Sequence, residues 1–301
     1  MPDNCTRRLS RLGVHVTAVP VAAVLQPLPH REEVIYGRKF GVALTLVCFK
    51  PTGAPNGIGI IAVVSGGWKS SHDHIHRRGG QWARLLSAGY SVFAVVHGSA
   101  PKFSYSEIVQ DVHRAVRFVR YSAKQRRWDI EPERLGIVGS SAGGSLALTI
   151  ATQTLAPVLD PEAADPVDRE SSEVQCAAAF FPPTSFIDLH TEGDRLKITL
   201  EPAPNAWPLA KTQEERASLG PRISPVEHVT SALPPIRIIH GDSDASVPLG
   251  QSRMFVAKAA CVSGAAVPDL IVREDKGHGW PEMEEEDWPQ IQSWFDVHLL
   301  R

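Results

Sequence analysis

Three serines and four glycines are packed into Arg134 to Ile150, RLGIVGSSAGGSLALTI, directly after a short apolar run. Gly139-Ser140-Ser141-Ala142-Gly143 has G-x-S-x-G spacing. When a serine stands at the tip of a sharp strand-to-helix turn, the residues two before and two after it are forced together, so both must be small. Gly139 and Gly143 meet that need around Ser141, whereas around Ser140 the pair would be Val138 and Ala142. A phosphate loop would carry a Lys before its Ser or Thr, and a dinucleotide fingerprint would read G-x-G-x-x-G. Neither is present, which leaves Ser141 as a candidate nucleophile. A serine hydroxyl is a poor nucleophile at neutral pH and needs a base, which in turn needs an orienting group. His278 in EDKGHGWPE, flanked by two glycines, is the candidate base, and Asp242 or Asp244 in IIHGDSDASVP is the candidate acid.

Other chemistry-bearing residues point less clearly. In SSHDHIHRR, His72, His74 and His76 alternate, and an extended chain would put all three imidazoles on one side, as in some zinc sites. No second ligand cluster is evident and serine hydrolysis needs no metal, so the segment reads as a surface loop, and neither metal nor cofactor is expected. Cys5, Cys48, Cys176 and Cys261 lie far apart without paired spacing and read as buried or incidental thiols. The acidic run Glu284 to Asp287 reads as the favourable negative start of a last helix. Trp68 and Trp280 neighbour the chemical elements and either contact substrate as a pocket floor or pack the loops.

These residues need a scaffold, and strand and helix patterns alternate to supply one. EEVIYGR and VALTLVCF read as a β-hairpin; GIGIIAVVS, SVFAVVH, RLGIVG, VQCAAAFF, PIRIIHG and PDLIVRED read as further strands. Between them GQWARLLSAGY, SAGGSLALTIATQTL and LGQSRMFVAKAAC read as helices. The clearest helix follows Ser104, which has capping-box spacing to Glu107 and precedes an apolar stripe of Ile108, Val112, Ala115, Val116 and Val119. Regular alternation of this kind predicts a mostly parallel sheet of about eight strands with helices on both faces. The candidate residues then all leave the C-terminal ends of strands, where open α/β sheets build their sites. Residues 182–234 break the rhythm, being Pro-rich and weakly periodic, and are expected to form a lid-like insertion. Residues 1–34 are expected to be an N-terminal extension to a domain spanning 35–301.

The net charge of −2 over 301 residues, with Lys and Arg scattered, gives no electrostatic reason to expect nucleic acid or an anionic membrane. A small neutral molecule is the better-matched partner; the sequence does not specify the oligomeric state. No run reaches the ~18 apolar residues that span a bilayer. Basic residues precede an apolar stretch near the N-terminus, but His15, Thr17 and Pro20 interrupt it, so a cytoplasmic location is favoured over secretion.

Taken together, Ser141 in SAGG context, HG-x-x-D-x-x-VP and GHGW resemble the α/β-hydrolase superfamily over about residues 35–300. The nearest likeness is to bacterial acetyl- and feruloyl-esterases and hormone-sensitive-lipase-like carboxylesterases. The resemblance implies an α/β-hydrolase fold and ester hydrolysis through an acyl-enzyme. It implies that the acid is the fourth residue after the His of HG, here Asp244, leaving Asp242 as a turn residue. It also implies oxyanion donors from the loop VVSGGWKSS and from the residue after the nucleophile: Gly66, Gly67 and Ala142. The loop departs from the family's H-G-G-G start, since Val64 or Ser65 stands in place of the His. Two rival readings share the scaffold: a peptidase like the prolyl oligopeptidases, and a non-catalytic ligand-binding protein. The prolines and charges of the insertion make a poor continuous apolar groove, so short acyl groups are the expected substrates.

Overall fold

The computed structural model describes residues 31–187 and 213–300. Strands β1 (Arg31–Lys39) and β2 (Val42–Phe49) pair as the expected antiparallel hairpin. Because β1 begins at Arg31, a boundary at residue 35 falls inside a strand; residues 1–30 of the expected extension lie outside the described residues. The sheet continues through β3 (Gly57–Val63), β4 (Ser91–Val96), β5 (Ile130–Ser140), β6 (Cys176–Phe180), β7 (Ile236–Gly241) and β8 (Asp269–Arg273). The eight strands lie in the order β1-β2-β4-β3-β5-β6-β7-β8, with β2 antiparallel to β4 and every pair from β4 to β8 parallel. This is the α/β-hydrolase fold. After β3 the chain steps to one side, to β4, and then crosses to β5 and builds outward on the other. The reversal makes the C-terminal ends of β3 and β5 the switch point at which such sheets hold ligands.

Near-continuous apolar strands are expected where both faces are covered, and here period-two alternation divides them between two cores. Ile61 and Val63 of β3 and Ala177 and Ala179 of β6 face one core; Ile58, Ile60 and Ala62 with Cys176, Ala178 and Phe180 face the other. The first core packs helices spanning Tyr105–Lys124 (here α3), Ala142–Ala151 (α4) and Gly250–Cys261 (α6). The second packs His72–Arg78 (α1), Ala83–Ser87 (α2) and Trp288–Leu299 (α7). Helix α3 carries the predicted capping box: Ser104 Oγ accepts from the Glu107 N–H, and Glu107 accepts in return from Ser104 N–H at 2.8 Å. Cys48 and Cys176 are buried thiols and Cys261 is exposed.

Two expectations require correction and a third is met in part. GQWARLLSAGY is not one helix, since Gly79–Trp82 forms a 3₁₀ turn before α2, in keeping with the poor helix propensity of Gly79 and Gly80. SSHDHIHRR is not an extended loop, because His72–Arg78 is helical. The acidic run leads into the last helix as a π turn, Met283–Asp287, with Glu284 to Glu286 exposed in its first turn, but Asp287 is buried beside Arg273 rather than solvated at a helix start. Of the expected insertion, residues 188–212 lie outside the described residues. Its two described flanks are tied in: Thr184 N–H and Ser185 N–H donate to Gln251 Oε1 of α6, and Phe186 N–H donates to Ser224 Oγ at 2.7 Å. The C-terminal flank contains α5 (Gln213–Ile223). Among the described residues no helix is long and apolar enough to cross a membrane.

Candidate active site

Ser141 stands between β5 and α4 with φ 55° and ψ −123°, a left-handed backbone that a side-chain-bearing residue adopts only under constraint. The constraint is visible in its neighbours. A Cβ on Gly139 would collide with the Gly143 carbonyl, and one on Gly143 would lie 2.5 Å from the Val63 carbonyl oxygen. Two glycines at this spacing therefore let strand, turn and helix close around the serine, and Ser141 N–H is held by Phe180 O at 2.9 Å.

His278 and Asp244 arrive from the loops after β8 and β7. His278 Nδ1 donates to Asp244 Oδ2 at 2.8 Å, which leaves Nε2 to accept from Ser141 Oγ at 2.9 Å. The chain of contacts is hydroxyl, imidazole, carboxylate. Asp244 Oδ1 accepts two backbone N–H groups, from Ser246 and Val247, each at 2.8 Å. His240 stands 3.5 Å from Asp244 Oδ2, held by Ser252 Oγ at 2.7 Å and Val247 O at 2.8 Å. Burial works against ionising Asp244, but hydrogen bonds from His240, His278 and the two amides outweigh it and hold the carboxyl well below the usual carboxylate range. Asp242 does something else: its Oδ1 accepts from Asp275 N–H at 2.8 Å and so joins the two turns.

The loop after β3 departs from expectation at one donor. Gly66 N–H donates to Lys69 O at 2.9 Å and Lys69 N–H returns the bond at 3.1 Å, so the Gly66 donor is committed to its own turn. Gly67 and Trp68 between them take positive φ, 54° and 64°, as the two central residues of a type I′ turn must. Gly67 N–H has no backbone acceptor among the described residues. Ala142 opens α4, where a helix offers its first N–H groups no internal partner. Two candidate donors remain, Gly67 and Ala142, one from each side of the switch point.

Two serines, Ser70 and Ser99, tie this loop down, and sequence reasoning missed them. Ser70 Oγ donates to Val64 O at 2.5 Å; Ser70 N–H donates to Ser99 Oγ at 2.9 Å, and Ser99 Oγ donates to Ser70 O at 3.0 Å. Ser70 and Ser99 are 29 residues apart, so no local pattern announced their pairing. Phe181 was missed for the same reason. It follows β6 at φ 38°, unusual for a bulky residue, and its ring lies 4.5 Å from the His278 ring.

Of the two readings of Trp68 and Trp280, loop packing is the one the contacts among the described residues display. Trp68 is buried against Tyr105 and Phe186, with ring centroids 5.1 and 5.8 Å away. Trp280 is buried against Phe181, and its Nε1–H donates to Asp287 Oδ2 at 2.8 Å. Arg273 reaches the other oxygen of the same carboxylate at 2.6 Å, which explains why Asp287 is drawn inside. The helical turn of α1 also separates the histidines. His72 and His76 share a face while His74 lies on another, and His72 Nε2 meets Thr45 Oγ1 at 3.0 Å. Among the described residues no group of three or more His, Cys, Asp or Glu is placed to hold a metal ion.

The BD-FAE family model matches residues 49–259, more than half of the chain. Esterase LipQ of Mycobacterium tuberculosis is 29% identical over 194 residues, covering 62% of this chain and 43% of that protein. An acetylxylan esterase of Xylanibacter ruminicola is 37% identical over 110 residues, covering 36% of this chain and 22% of that protein. The chain thus spans less than half the length of these curated relatives. Among solved structures, an acetyl ester-xyloside bifunctional hydrolase from Caldicellulosiruptor lactoaceticus superposes with a TM-score of 0.68 at 22% identity, covering 90% of this chain and 95% of that one.

Proposed function

The chain belongs to the BD-FAE family of α/β-hydrolase esterases, and on that premise we propose that it is a serine carboxylic ester hydrolase working through an acyl-enzyme on short-chain acyl esters, acetylated or feruloylated sugars among them. The observation that carries the reading is the continuous path from Ser141 Oγ through His278 to Asp244, with both hydrogen bonds at 2.9 Å or less. Ser141 Oγ attacks the ester carbonyl carbon while its proton passes to His278 Nε2. Asp244 fixes the ring through Nδ1–H and stabilises the imidazolium without taking a proton. The tetrahedral oxyanion is received by the amides of Gly67 and Ala142, a pair of donors of the kind worth about 3–4 kcal/mol each. Collapse breaks the ester C–O bond, the departing alcohol takes the proton from Nε2, and the acyl group stays on Ser141. Water then attacks the acyl-enzyme with His278 as base, releasing the acid and restoring the hydroxyl.

The substrate class follows from what a long acyl chain would require. Each methylene contributes about 0.8 kcal/mol only where it is buried, and the proline- and charge-rich composition of 182–234 is poorly suited to line a continuous apolar groove. Acetyl to butyryl esters need none. The acetylxylan esterase relative agrees with an acetylated sugar as one such ester. The test is a panel of p-nitrophenyl esters of increasing chain length, acetylated sugars, feruloyl esters and peptide amides. The highest kcat/KM is expected on acetyl to butyryl esters, with negligible amide cleavage. A preference for peptide amides would favour the peptidase reading, and no turnover with any member would favour a binding protein.

A further inference from the structure

Helix α1 ends in Arg78, a half-buried cation that the chemistry above does not use. Arg78 Nη1 donates to Ser140 Oγ at 3.1 Å, and Nη2 donates to Ser65 O at 3.4 Å. Ser140 is the last residue of β5, immediately before Ser141, and Ser65 immediately precedes the Gly66–Lys69 turn that presents the Gly67 amide. One guanidinium therefore touches both halves of the site, the nucleophile elbow on one side of the switch point and the oxyanion loop on the other. Its planar fork suits it to hold two acceptors at a fixed angle, which a lysine ammonium does less well.

The electrostatics argue against a packing role alone. Among the described residues no carboxylate pairs with Arg78; the charge that acts on it is the like charge of Arg77, and burial together with that charge pushes its pKa down. An apolar side chain of similar length would fill the place without the desolvation penalty of an unpaired cation. Arg78 also lines a small cavity of about 30 Å³ with Ser140, Trp82, Met283 and Trp288, behind the elbow rather than at Ser141.

We propose that Arg78 is a positioning residue that locks the nucleophile elbow to the oxyanion loop through Ser140 Oγ and Ser65 O, so that Ser141 and the Gly67 amide keep one relative geometry. The proposal rests on the esterase reading. Misplacing reacting groups by about 1 Å lowers rates by about 10²-fold. A loss of this kind falls on the chemical step and spares substrate affinity.

The test uses the full chain and two readouts: the second-order rate at which a fluorophosphonate modifies Ser141, which needs the same geometry but no knowledge of the natural ester, and kcat and KM on p-nitrophenyl acetate. Arg78→Met is expected to slow both phosphonylation and kcat by about 10- to 100-fold, with KM within about twofold of the parent and an unchanged or raised Tm, because an unpaired buried cation has been removed. Arg78→Lys should recover part of the rate. In the double variant with Ser140→Ala the losses should not add, as befits two groups acting through one contact. Arg78→Met retaining the parental phosphonylation rate would overturn the proposal. So would a rate lost only in proportion to folded protein. Should Arg78→Met fail to fold, Ser140→Ala alone decides: slowed phosphonylation at unchanged Tm supports the lock, and the parental rate refutes it. If the parent chain is not phosphonylated at all, the esterase reading has failed; if the parent reacts and Arg78→Met reacts equally fast, Arg78 alone was misassigned.

Discussion

Asp242 and Asp244 are two residues apart and have the same side chain, yet their surroundings give them different work. Asp244 receives His278, His240 and two amides, while Asp242 Oδ1 is occupied by Asp275 N–H. Asp244→Asn is therefore expected to lower kcat by about 10⁴-fold, the loss seen when a triad acid can no longer fix the imidazole tautomer. Asp242→Asn should leave kcat nearly intact; steady-state kinetics on one short ester compares the two, and a reversed order would exchange their roles. Asp244 also ties the site to acid stability. Its folded pKa is depressed below the unfolded value near 3.9, so its stabilisation is fully present above that value and is lost as pH falls towards the folded pKa. Urea unfolding below pH 4 should weaken the parent more steeply than Asp244→Asn, and parallel curves would contradict this.

The elbow is the element at which the sequence was most legible, because its requirement is steric and local. Gly143→Ala would put a methyl 2.5 Å from Val63 O, and overpacking of this kind destabilises by about 1–3 kcal/mol. The variant should show a lower Tm and lose activity together, whereas Ser104→Ala should remove only a helix cap, about 1 kcal/mol, and leave kcat unchanged; thermal melts and kinetics on the pair separate the two effects. The strands and helix α3 were legible for the same local reason, since period-two and period-3.6 apolar spacing survive in the eight-stranded sheet and in α3. Local reasoning failed where partners come from afar. Gly66 was a plausible donor until its N–H met Lys69 O, and nothing local to Trp280 announced that Asp287 would turn inward to take its N–H. Arg78 and Ser140 are 62 residues apart and had no signal at all.

Across the whole molecule, two buried histidines outside the site couple folding to pH. Burial pushes His97 and His113 down to about 4 from 6.5. Their folded pKa values lie below the unfolded ones, so the unfolded chain binds more protons between those limits, and stability is greatest above pH 6.5 and declines as pH falls towards 4. Each unit of difference corresponds to about 1.4 kcal/mol. His97→Leu should shrink the stability lost between pH 7 and pH 4.5 by roughly 1 kcal/mol or more, read from urea midpoints; an unchanged loss would show that His97 does not titrate with unfolding. These histidines and Asp244 make the stability of the scaffold depend on pH, while the proposed chemistry turns on one hydroxyl placed beside the C-terminal ends of the paired strands β3 and β5. Ser140 lends its oxygen to Arg78 and Ser145 is fully buried, so only Ser141 meets His278. The most direct measurement is peptide mass mapping after fluorophosphonate treatment, alongside the esterase activity of Ser141→Ala. One adduct per chain on Ser141, with activity lost in step with labelling and absent in Ser141→Ala, is the predicted result. An adduct on Ser140 or Ser145, or undiminished turnover by Ser141→Ala, would contradict it.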